Sequence, residues 1–103
     1  TRRQLDVRKG EQAAILDAAA AFVKPDGRLV YITCSVFEEE NGDQIDAFVG
    51  RAPGFSVADH AGLWREMFPG HAGQALIRGN GISLTPVLTG TDGFFVSVLR
   101  KAG

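Results

Sequence analysis

Gly27-Arg28-Leu29-Val30-Tyr31-Ile32-Thr33-Cys34-Ser35, followed by Glu38-Glu39-Glu40-Asn41, decides how this chain folds. Leu29 to Ile32 is an unbroken apolar run with two β-branched residues and a tyrosine. A glycine turn precedes it. Such a run reads as a strand buried on both faces, spanning 28–33. Cys34, the single cysteine, falls just past the strand's carboxyl end. Open α/β sheets carry their ligands and catalytic groups at that end. Ser35 reads as a helix N-cap, with Glu38 three positions on completing a capping box. Asn41 competes for the N-cap role, because Gly42 is a poor helix-interior residue.

Upstream, Glu11 to Val23 reads as a helix, with Ile15, Ala19, Phe22 and Val23 on one face. Lys24-Pro25-Asp26-Gly27 stops it and turns the chain into the strand. The segment Thr1 to Lys9 is polar and reads as a solvated lead-in. Downstream, a second helix is expected to start between Glu38 and Asn41 and to run to about Val49. Phe55-Ser56-Val57 reads as a short strand. Leu63, Trp64, Met67 and Phe68 allow a short amphipathic helix. Ala75–Arg78 and Ile82–Thr85 flank Gly79-Asn80-Gly81 as a β-hairpin. Thr89 to Gly93 reads as a turn, and Phe94 to Leu99 as a central strand, apolar on both faces. Helix, strand, helix and further strands in this order make an α/β fold.

Composition narrows the classes of function. The 103 residues suit one domain, and 45% are hydrophobic, so a packed core is expected. A net charge of −1 argues against an independent nucleic-acid-binding module. One cysteine excludes an internal disulfide and a cysteine-based metal cluster. No signal peptide or membrane-length apolar run is visible, so the expected location is cytoplasmic, with no membrane partner. The first residue is Thr1 rather than Met, as expected of a segment of a longer protein. His60 and His71 have no partner spacing for metal or triad work and read as surface residues, which weakens a cysteine hydrolase. Arg100 and Lys101 read as an exposed chain end.

Read from the residues alone, Cys34 is either a small core hydrophobe or a nucleophile. The surrounding motif bears on that choice. Gly27-Arg28-Leu29-Val30-Tyr31 running into Thr33-Cys34-Ser35, with Glu39-Glu40-Asn41 after it, resembles the sixth motif of the RNA cytosine-5 methyltransferases of the Sun/RsmB type. Asp92-Gly93-Phe94-Phe95, then Val96 to Leu99 and Arg100-Lys101, resembles that family's closing strand. The resemblance implies an α/β fold, the C-terminal portion of a Rossmann-like S-adenosylmethionine-dependent methyltransferase sheet with mixed strands. Residues 1–103 would then form a single domain, a C-terminal fragment of the catalytic domain.

The resemblance also implies chemistry. Cys34 would be the covalent nucleophile on cytosine carbon 6. Arg2 and Arg3 stand where the family's arginine-rich segment approaches substrate. S-adenosylmethionine would be the methyl donor of the full-length enzyme. Its binding elements are not recognisable here, because Gly79-Asn80-Gly81 sits in a hairpin rather than between a strand and a helix. RNA, ribosomal RNA first, would be the partner. The family's Pro-Cys motif, with its second cysteine, lies outside this chain, so the fragment alone is expected to be inactive. Glu38 stands where the family often has proline and Gly42 where it often has an acid, so the loop after Cys34 is expected to be looser. The strand at 28–33 is expected to expose an edge that self-associates or is covered by N-terminal residues. The rival reading is a non-catalytic α/β interaction module with Cys34 in its core.

Overall fold

The computed structural model describes residues 1–35, 37–70, 75–84 and 94–103. The expected Thr89–Gly93 turn, with Asp92, and His71 lie outside them.

The first helix, α1, spans Arg2–Ala20 and starts nine residues before the expected Glu11. The cause is local. Thr1 caps it: its hydroxyl accepts from the Gln4 amide over 3.2 Å, and the Gln4 side chain accepts from the Thr1 amino group over 2.9 Å. This capping box satisfies two otherwise orphaned donors. The charged residues that suggested a solvated lead-in are therefore helical. The buried stripe of α1 is Leu5 and Leu16, not Ile15 and Phe22, which are 68% and 90% exposed. After Ala20 the chain tightens, with Phe22 and Val23 amides donating to the Ala19 and Ala20 carbonyls. Asp26 then takes a positive φ of 65° in the turn.

Strand β1 spans Arg28–Thr33, as expected, but it is not buried on both faces. Tyr31 points into the core, whereas Val30 and Ile32 are 52% and 61% exposed. A short 3-10 turn at Glu38–Glu40 leads into α2, Gly42–Arg51. The Ser35–Glu38 capping box does not form. Ser35 Oγ instead accepts from the Phe37 amide over 3.1 Å, and Glu38 pairs with Arg78 at 2.8 Å. Strand β2 is Phe55–Val57 and helix α3 is His60–Met67, capped by Asp59. The hairpin is β3, Leu76–Arg78, and β4, Gly81–Leu84; β5 spans Phe94–Lys101.

These form a five-stranded sheet in the order β1-β5-β4-β3, with β2 also on β5. The eight-residue β5 is central, as its apolar sequence implied. β1 lies along one side of it, from Arg28↔Arg100 to Thr33↔Phe95. The other side is shared: β4 pairs near Phe95 and β2 near Arg100. Every ladder among the described residues is antiparallel. The outer edge of β1 has no strand partner among them.

The core lies between one sheet face and the two longer helices. Leu16 of α1 and Ile45 and Phe48 of α2 pack on Tyr31, Phe95 and Leu99. Polar contacts lock α2 to α1, among them Gln44 Nε2 donating to the Lys9 carbonyl at 2.7 Å and Arg51 pairing with Asp17 at 2.9 Å. Gly42 is buried where the hairpin tip arrives. A side chain there would begin 2.6 Å from Asn80 Nδ2 and closer still to Glu38 Oε1. Gly42 is thus held close to the hairpin tip.

His60 corrects another expectation. It is buried, not a surface residue. Its Nε2 accepts from the Val98 amide at 2.9 Å, and its Nδ1 donates to the Gly79 carbonyl at 3.3 Å. That pattern requires a neutral ring, and burial pushes its pKa down. The chain end is also tied in. Lys101 Nζ donates to the Val23 carbonyl at 2.9 Å and lies over the Phe55 ring, while Arg100 stays exposed.

Candidate active site

Cys34 sits one residue beyond β1, and its side chain is exposed. The thiol is therefore not a core residue. It opens onto a groove of about 700 Å³. It is lined by Arg8, Gln12 and Ile15 of α1, by Val30 to Thr33 of β1, and by Ser35, Phe37 and Glu40. A lining that mixes apolar side chains with a thiol, a guanidinium and an aromatic ring suits a flat, partly polar ligand.

The groove depends on Glu40, which is only 3% exposed. A buried carboxylate is costly unless it is paired and fully hydrogen-bonded. Arg8 donates to Oε1 through Nε at 2.9 Å and Nη2 at 2.7 Å. Gln12 donates to Oε2 at 3.1 Å. Burial pushes the Glu40 carboxyl up, but the bonds and charge of Arg8, with the bond from Gln12, outweigh it and hold it below the usual carboxylate range. The Tyr31 hydroxyl donates to the Glu40 carbonyl at 2.7 Å. Burial first, and the Glu40 charge second, push the Tyr31 pKa up to about 12, so the phenol stays a neutral donor.

Asn41 is buried too. Its Oδ1 accepts from the Thr33 hydroxyl, and its Nδ2 donates to the Ser35 carbonyl at 2.9 Å. Thr33 and Ser35 flank Cys34. The triplet Glu39-Glu40-Asn41 thus has a physical role. Glu39 pairs with Arg2 and Lys9, Glu40 anchors α1, and Asn41 grips the loop that carries the thiol.

The arginines split. Arg2 faces Glu39 and Asp6 rather than the thiol groove. Arg3 is exposed beside a separate shallow cleft with Gln4, Val7 and Glu11. Arg8, not singled out from the sequence, is the arginine that reaches the groove of Cys34. Its signal was present: Arg8, Gln12 and Ile15 have helical i, i+4, i+7 spacing once the helix is extended to Arg2. Among the described residues no cluster of three metal-ligating side chains exists. No described helix is long and apolar enough to cross a membrane.

The chain is similar to known proteins over most of its length. Residues 1–100 match the family model for the 16S rRNA methyltransferase RsmB/F. The chain is 41% identical over 69 residues to the ribosomal RNA small subunit methyltransferase B of Xylella fastidiosa (strain 9a5c), covering 60% of this chain and 16% of that protein. The enzyme of the same name from Cronobacter sakazakii (strain ATCC BAA-894) is 38% identical over 90 residues, covering 87% of this chain and 18% of its own length. A methyltransferase homolog protein from Pyrococcus horikoshii superposes with a TM-score of 0.76 at 25% identity, covering 98% of this chain and 33% of that structure. The chain thus spans less than a fifth of the length of these two bacterial relatives. Both helices of the core, the sheet and the thiol loop fall inside the matched span, and the chain belongs to the RsmB/F family of 16S rRNA methyltransferases.

Proposed function

We propose that these residues are the C-terminal part of an RNA cytosine-5 methyltransferase acting on ribosomal RNA in the cytoplasm, and that Cys34 is its covalent nucleophile. The observation that carries this reading is the exposed thiol at the end of β1, opening on a groove lined in part by Ile15, Val30, Ile32 and Phe37. A core cysteine in an interaction module would be buried, and Cys34 is not.

Carbon 5 of cytosine is a poor nucleophile. Addition of the Cys34 sulfur to carbon 6 breaks the ring double bond and moves its electron pair to carbon 5. Carbon 5 can then accept a methyl group. Loss of the carbon 5 proton to a base restores the double bond and expels the sulfur. S-adenosylmethionine, when bound, supplies the electrophilic methyl group. Gly79 and Gly81 belong to a hairpin, and neither opens a helix after a strand, so this glycine pair is not a donor-binding turn. We place its binding site, and the base, in the rest of the enzyme.

The test uses the full-length protein. Cys34→Ala should abolish transfer of a tritiated methyl group to ribosomal RNA while leaving affinity for S-adenosylmethionine intact. Wild-type incorporation by the variant would remove Cys34 from the reaction. The 103-residue chain alone should neither bind the donor in a calorimetric titration nor methylate RNA, and micromolar binding would show a complete site within it.

A further inference from the structure

Asn41 occupies the N-cap position of α2, yet its side chain does not cap the helix. An asparagine there ordinarily accepts a hydrogen bond from the amide two or three residues on. Here the Asn41 backbone carbonyl, not its side chain, meets the first turn of α2, accepting from the Gln44 and Ile45 amides at 3.1 and 3.3 Å. The carboxamide is turned away, toward the end of β1. It accepts from the Thr33 hydroxyl and donates to the Ser35 carbonyl at 2.9 Å.

We infer that Asn41 is a positioning residue for Cys34, an inference that rests on the nucleophile reading above. Its two bonds close a ring around a single residue, the one carrying the thiol. They are of opposite sense, one accepted and one donated, so only a carboxamide of this length makes both. The anchor itself is rigid. Asn41 is buried, its amide donates to the Glu38 carbonyl, and the preceding residue is the Glu40 held by Arg8 and Gln12. Cys34 is solvent-exposed, so packing does little to fix it, and the Asn41 bridge holds the Thr33 side chain before it and the Ser35 carbonyl after it instead. A displacement of about 1 Å at a reacting group can cost on the order of 100-fold in rate. The bridge therefore acts on the chemical step and not on donor or RNA affinity.

The variants are Asn41→Ala, which removes both bonds, and Asn41→Asp, which has the same shape and can still accept from Thr33 but cannot donate to Ser35. In the 103-residue chain, backbone order parameters of Cys34 and Ser35 should fall from about 0.85 to below about 0.6, while Tyr31, Ile45 and Leu99 keep their values. In the full-length enzyme kcat should fall about 100-fold at unchanged KM for both substrates. Asn41→Asp should resemble Asn41→Ala, because the Ser35 bond is lost in both. Unchanged order at Cys34, a loss of order spread through the whole chain, or an unchanged kcat would each overturn the inference. Methylation by Cys34→Ala would instead overturn the nucleophile reading, and the order parameters alone would then decide whether Asn41 holds the loop.

Discussion

Arg8 and Glu40 form a bidentate contact, with two guanidinium nitrogens on one carboxylate oxygen at 2.9 and 2.7 Å. They are 32 residues apart, and their bond joins α1 to the loop that follows Cys34. Arg8→Ala should leave Glu40 buried with the Gln12 and Ser35 side chains as donors but no paired cation. The expected cost is about 1–3 kcal/mol, at the lower end because the Arg8 side chain is half exposed and water can partly replace it. Urea unfolding measures it. Because the folded Glu40 pKa is depressed, the stabilisation is present above the ordinary carboxylate pKa and is lost as pH falls through the folded value. Arg8→Ala should flatten that acid limb, and an unaltered limb would show that the pair contributes nothing.

His60 predicts a second pH dependence, of different origin. The folded protein needs a neutral ring, and burial lowers its pKa despite the Gly79 bond and nearby Asp59. Below about pH 6.5 the unfolded chain binds a proton that the folded chain refuses, so stability falls as pH drops through that value. Urea midpoints at about pH 7.5 and about pH 5.5 should differ for the wild type, and less so for His60→Gln. Equal wild-type midpoints would contradict this.

Gly42→Ala would raise helix propensity by roughly 1 kcal/mol in an open helix. At this site the new methyl group meets Asn80 and Glu38 inside normal contact distance. Net destabilisation of about 1–3 kcal/mol is expected, from overpacking and loosening of the hairpin tip. A stabilised variant in urea unfolding would show that the tip does not hold close to Gly42.

The outer edge of β1 is unpaired among the described residues, and Val30 and Ile32 lie exposed along it. An edge of this kind invites pairing with another strand. The 103-residue chain is therefore expected to self-associate. Sedimentation velocity over a concentration series should show a species heavier than the monomer, reduced by Ile32→Lys. A strict monomer at every concentration would contradict this.

What the sequence disclosed follows the range of the forces involved. β1, β5 and the hairpin were legible because their signals are local: apolar runs bounded by glycine turns. The early start of α1 was missed although its Thr1–Gln4 capping box is local, because the charges after it read as solvated and the partners of Arg2 and Arg8, Glu39 and Glu40, lie more than thirty positions away. His60 was illegible for a similar reason, since its partners are backbone atoms at Gly79 and Val98, which carry no side-chain signature. The two-sided burial expected for β1 failed because an apolar run does not say whether a strand's outer face is covered. The place of Cys34 just past the end of β1 was legible from the strand pattern. Arg8, Gln12 and the grip of Asn41 became visible only with the helix and the loop in place.

The claim that matters most is that the Cys34 sulfur bonds to carbon 6 of a cytosine. Ribosomal RNA containing 5-fluorocytosine tests it directly. Fluorine at carbon 5 cannot leave as the proton does, so the sulfur cannot be expelled and the adduct persists. Full-length enzyme, given this RNA and S-adenosylmethionine, should yield a denaturation-resistant protein–RNA adduct. Peptide mass spectrometry should place the nucleotide on Cys34, and Cys34→Ala should form none. An adduct of undiminished yield in Cys34→Ala, or one mapped to another residue, would contradict the claim.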